Sequence, residues 1–133
     1  MRKDILAYLF TIAVMMTMDF VWLSLTASPI YKARLGGLML DKIDLTPAAG
    51  FYLIYVVAVV TFAVLPALES GHWFRATWSG ALLGLAAYGA YDLTNQATLV
   101  GWSSFVSIVD MAWGTIVTAS AATAGYFLTR LLA

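Results

Sequence analysis

Four apolar runs separated by short polar breaks constrain this chain more than any other feature. They cover roughly residues 5–26, 48–68, 76–99 and 103–131. About 20 residues of helix, rising 1.5 Å each, cross the roughly 30 Å of hydrocarbon in a bilayer, so each run is long enough to span it. Composition agrees, with 62% hydrophobic and 11% charged residues, where soluble chains carry roughly 45 to 50% and about a quarter. A water-soluble domain of 133 residues could not hide so much apolar surface. The expected fold class is all-α, a single-domain integral membrane four-helix bundle.

The residues that are missing narrow the chemistry. Cysteine is absent, which removes disulfides, thiol nucleophiles and thiolate metal sites. The single histidine, His72, lies in the short polar turn Glu69-Ser70-Gly71-His72-Trp73-Phe74-Arg75, where contact with headgroups or water is the ordinary role. A formal net charge of +0 offers no basic patch for nucleic acid. No cofactor motif is present, and no spacing selects a metal site.

The first run follows Met1-Arg2-Lys3-Asp4, a start that also resembles a signal peptide. Its apolar stretch exceeds the usual 7 to 15 residues, and Leu25-Thr26-Ala27 is a poor cleavage site, so a retained helix is expected. Pro29 breaks the pattern. The connection Ala27–Pro47 mixes Lys32, Arg34, Asp41, Lys42 and Asp44 with apolar residues. It fits a short amphipathic segment at the headgroups, a lid over the bundle, or a solvated loop. In the second run, Tyr52 and Tyr55 share a face and read more readily as interfacial belt residues than as site residues, and Pro66 is placed to close the helix.

Carboxylates inside the runs carry the functional signal. Each acid at membrane depth costs at least about 2.5 to 3.5 kcal/mol on insertion scales, so it is a functional-site hypothesis by default. Asp19 sits about two-thirds along the first run with Trp22 one turn on; the apolar Phe20–Leu25 beyond it favours burial over a water-facing helix end. In the third run Tyr88, Asp92 and Asn95 fall on one face, with Tyr91 beside Asn95. Polar groups on such a stripe need partners in lipid, so the stripe must face inward. In the fourth run Asp110 lies among Ser103, Ser107 and Gly114, and Trp113 follows it by three residues. Gly80-Ala81-Leu82-Leu83-Gly84 is a Gly-x-x-x-Gly pattern that permits close backbone approach.

Four spans put both termini on one side and bring Asp19, Asp92 and Asp110 to similar depth near the other, and Tyr52 and Tyr55, at the entry of the second run, arrive there as well. The expectation is a polar cavity in that half, opening toward Ala27–Pro47 and the Thr98–Trp102 turn, with the opposite half closed. No lysine, arginine or histidine lies within the spans to neutralise the acids. Arg2, Lys3, Arg75 and Arg130 against Lys32, Arg34 and Lys42 favour cytoplasmic termini by the positive-inside rule.

Asp19-x-x-Trp22-Leu23, the segment Tyr91-Asp92-Leu93-Thr94-Asn95-Gln96-Ala97-Thr98-Leu99 and Asp110-x-x-Trp113-Gly114 resemble the bacterial membrane proteins grouped as domain of unknown function 2177. The resemblance covers almost the whole chain. It implies a small, multi-pass, four-helix protein of the bacterial inner membrane and brings no activity with it. From the residues, the leading expectation is binding or transport of a small amphiphilic, cationic or proton-coupled ligand by Asp19, Trp22, Tyr88, Tyr91, Asp92, Asn95, Asp110 and Trp113. A membrane enzyme using aspartates as acid and base on a lipid or isoprenoid, and an accessory subunit of a membrane complex, are the alternatives. Expected partners are membrane lipids and an amphiphilic small molecule, and four spans are few enough for a transporter that a homo-oligomer is expected.

Overall fold

The computed structural model describes residues 1–133, and every regular element in it is helical. Helix α1, Arg2–Thr26, passes into a π-helical stretch Ala27–Lys32, a short turn Ala33–Leu35 and a 3₁₀ turn Gly36–Leu38. Helix α2 runs over Leu45–Ser70 with a π-helical stretch at Val60–Val64. Helix α3 is Trp73–Thr98 and helix α4 is Ser104–Leu132. The four form the expected bundle.

Local chemistry accounts for most of the boundaries. The Asp44 carboxylate accepts from the Thr46 N–H at 3.1 Å, and the Ser103 hydroxyl from the Val106 N–H at 3.3 Å, which satisfies one orphan donor at the start of α2 and of α4. Gly71 closes α2 in the left-handed region at φ 74°, a conformation that glycine adopts without steric cost.

Two prolines correct the sequence expectation. Pro29 does not end the first helix and Pro66 does not end the second, because each is accompanied by a widened turn. Proline lacks an N–H and its ring meets the carbonyl four residues back; π-type widening of a turn is one way for a helix to continue past such a defect. The first helical segment therefore reaches Leu38, twelve residues past Thr26.

Packing centres on α4, which lies along α3 and also against α1. Its contact with α3 is close because Gly80 and Gly84 face it: a Cβ at Gly80 would come within 2.9 Å of the Thr118 carbonyl oxygen, and one at Gly84 would overlap the Gly114 carbonyl. Val56, Val59, Val64, Val117 and Tyr126 fill the core. Outside, Phe20, Ile54, Trp78 and Ile108 are between 70% and 74% exposed. Each would forgo roughly 1.5 to 3 kcal/mol of apolar burial in water, and none in hydrocarbon.

Length and apolar composition qualify three segments to cross a membrane: Arg2–Leu38, Leu45–Ser70 and Ser104–Leu132. Helix α3 is long enough, at 26 residues, but more polar. Its last turns carry Asp92, Thr94, Asn95 and Gln96.

Candidate functional site: an acidic and aromatic cavity

A partly open cavity of about 320 Å³ lies at the Ala27–Pro47 end of the bundle. Asp19 and Asp110 face it together with Trp22, Tyr31, Tyr52, Tyr88, Tyr91, Trp102 and Trp113. Leu35, Leu38, Met39 and Ile43 line it from the connection after α1. That connection is therefore a lid over the acids.

Asp19 is 5% exposed and fully engaged. Its Oδ2 accepts from the Tyr52 hydroxyl at 2.5 Å and its Oδ1 from the Trp113 indole N–H at 2.7 Å. One side chain of α1 thus joins α2 to α4. Asp110 accepts at Oδ1 from the Tyr31 hydroxyl at 2.7 Å, and Tyr31 in turn accepts from the Trp22 indole N–H at 3.1 Å. The Trp22 and Trp113 rings stack at 4.5 Å with 5° between their planes. Both Asp-x-x-Trp segments are used, but each tryptophan serves the other segment's acid, Trp113 directly and Trp22 through Tyr31.

Asp92 is 0% exposed and neither carboxylate oxygen has a hydrogen-bond donor. Its neighbour is the Asp110 carboxyl. The Ser107 hydroxyl, which receives the Trp102 indole N–H at 3.0 Å, donates to the Asp92 backbone carbonyl at 3.3 Å and leaves the carboxylate alone. Asp92 thus stands behind Asp110, outside the cavity wall.

The remaining expected residues divide. Tyr88 lines the cavity with its ring over Gly114, where a Cβ would strike it. Tyr91 also lines it, although 56% exposed, and meets Trp102 edge to face at 5.6 Å. Asn95 is a correction: it is half-buried, makes no side-chain hydrogen bond and does not reach the cavity. It lies within a turn of the end of α3, beyond the level at which that helix contributes to the wall.

Three further tyrosines serve the interior. Tyr52 and Tyr55 take the less favoured of their two readings, turned inward and not to a belt: Tyr52 holds Asp19, and Tyr55 is buried with its hydroxyl 2.7 Å from the Thr118 hydroxyl. Tyr31 was hidden by geometry. It lies nine residues after Trp22, two and a half turns at 3.6 residues per turn, which would place it on the opposite face. The wider turn at Ala27–Lys32 brings it back.

Tyr31 is therefore the latch of the lid. Tyr31→Phe removes a bond to a carboxylate, a class of interaction contributing roughly 1.5 to 3 kcal/mol. Amide hydrogen exchange across residues 27–43 is expected to accelerate about tenfold or more. Exchange at the wild-type rate would mean that apolar packing alone holds the lid.

Fold and site together define a class: a small helical membrane protein with an acidic, aromatic-walled cavity under a lid. The chain belongs to the family described as predicted membrane protein, DUF2177, which matches residues 4–127. No curated protein and no solved structure matches it.

Proposed function

We propose that this protein binds a small amphiphilic membrane molecule in the cavity beneath the lid, with the polar end among the carboxylates. The observation that carries this reading is the cavity itself, about 320 Å³ with largely aromatic and aliphatic walls and two acids set into them. Ligand sites are concave and mostly apolar, with a few placed polar groups and volumes of roughly 300 to 1,000 Å³. In this reading α3 is a fourth span, with its polar stripe turned to the other helices. The protein sits in a bacterial inner membrane with cytoplasmic termini, so the lid faces outward, in keeping with Arg2, Lys3, Arg75 and Arg130 at the other end.

One observation favours a second reading. Asp92 beside Asp110 is a carboxyl pair of the kind that suits general acid and base work, so a membrane enzyme acting on a lipid or isoprenoid also accommodates the site. Turnover of a bound lipid would separate it from simple binding.

The test uses protein in phosphatidylcholine nanodiscs, with empty nanodiscs as blank, titrated with hexanol, hexylammonium and hexanoate. Trp22, Trp102 and Trp113 line the cavity, so occupancy is read from tryptophan fluorescence. At least one probe is expected to give a saturable change that weakens about tenfold or more in Ala27→Phe, which places a ring in the cavity. No saturable response to any probe, or one indifferent to Ala27→Phe, defeats the proposal.

A further inference from the structure

Building on the binding reading, we infer that the polar end of the ligand is a monovalent ammonium cation, taken up at the Asp110 carboxylate within the aromatic wall. The argument starts from what surrounds the acids. Every hydroxyl or N–H that donates to Asp19 and Asp110 is neutral, namely the hydroxyls of Tyr52 and Tyr31 and the indole of Trp113, and the Asp92 carboxyl beside Asp110 adds only a further acid. An ionised carboxylate only accepts, and such donors serve that form.

The compensating positive charge is missing. No lysine, arginine or histidine lines the cavity. Ion pairing in the chain is confined to the Met1 amino group and Asp4, at 3.6 Å. Of the lid's cations, Arg34 is engaged elsewhere, donating to the Pro29 carbonyl at 3.2 Å with its guanidinium 4.1 Å from the centre of the Phe105 ring, while Lys32 and Lys42 adjoin the lining residues Tyr31 and Ile43 without lining the cavity or pairing with an acid. Two acids facing a cavity in a low-dielectric setting without a counter-charge attract a cation and repel an anion.

Asp110 has fewer hydroxyl or N–H donors than Asp19. Both oxygens of Asp19 receive hydrogen bonds, whereas Asp110 receives one, at Oδ1. The unpartnered, wholly buried Asp92 carboxyl stands next to it. Tyr31, Tyr88, Tyr91, Trp22, Trp102 and Trp113 line the cavity together with Asp110. Their ring faces attract cations by their quadrupole, an effect that grows when the cation is desolvated.

This combination selects against other head groups. A hard metal ion needs several oxygen ligands at once, and no group of three His, Cys, Asp or Glu converges to hold one. A carboxylate or phosphate would meet like charge. An alcohol could bond to Asp110 but would leave its charge uncompensated.

The same nanodisc titration resolves head group from tail. Hexylammonium is expected to bind wild-type protein about thirtyfold more tightly than hexanol, with hexanoate weakest. In Asp110→Asn that preference is expected to fall to about threefold or less, with folding verified by near-ultraviolet circular dichroism. Equal binding of hexylammonium and hexanol overturns the cationic head group while leaving the cavity reading intact. Tightest binding by hexanoate overturns it as well. Failure of all three probes removes the binding reading and this inference with it. The wild-type ranking decides the matter even if the variant does not fold.

Discussion

Replacing Gly84 by alanine is expected to separate α3 from α4 and to destabilise the bundle by about 3 kcal/mol, the upper part of the range for overpacked interiors. The obstruction is backbone: the added Cβ would overlap the Gly114 carbonyl and lie 2.9 Å from the Thr118 hydroxyl. A flexible side chain could rotate away, whereas a carbonyl in mid-helix moves only with its helix. Relief requires α3 to withdraw, which would pull Tyr88 off Gly114 and open the cavity wall. Unfolding in mixed micelles, followed by tryptophan fluorescence, measures the loss. Gly50→Ala is the control, since nothing lies within 4 Å of a Cβ there, and it should fall within about 0.5 kcal/mol of wild type. A Gly84→Ala protein as stable as that control would mean the two helices are not in backbone contact.

Asp19→Ala is the second large effect, with an expected loss of roughly 3 kcal/mol from two hydrogen bonds to one carboxylate. Hydrogen bonds between neutral groups in membranes average only about 0.6 kcal/mol, because the separated helices find other partners. Two features raise this case. Both oxygens of one acid are used, at 2.5 and 2.7 Å, and the bonds join three helices. Truncation also leaves the Tyr52 hydroxyl and Trp113 indole without an acceptor. The same unfolding assay reads the stability, and the Trp113 emission should shift as its N–H loses Asp19. A change below about 0.5 kcal/mol would place Asp19 among replaceable surface groups.

Helix number, the membrane as solvent, and the inward turn of Asp19 and Asp92 were legible because they follow from periodicity and from the cost of polar groups in lipid. The tight contact at Gly80 and Gly84 was legible for a similar reason: spacing by four puts both on one face. The role of Tyr31 stayed hidden because it depends on a departure from 3.6 residues per turn. Pro29 looked like a stop, so Tyr31 was assigned to a connection and not to the site. Tyr52 and Tyr55 were legible in depth but not in direction, because an apolar helix without charges gives no sign of which face turns toward Asp19 and Thr118. Asn95 shows the opposite error. It shares a face with Asp92, but a face says nothing about where along the helix the cavity ends.

The crossed service of the two Asp-x-x-Trp segments has a consequence for how such a chain can change. Asp19 and Trp113 are 94 residues apart and depend on each other directly, while Trp22 reaches Asp110 only through Tyr31. Neither segment can be altered, duplicated or exchanged as a module, because half of its function is carried by the other end of the chain. Variation there should be inherited as a set, and grafting one segment from a relative should fail where transplanting both, with Tyr31, succeeds.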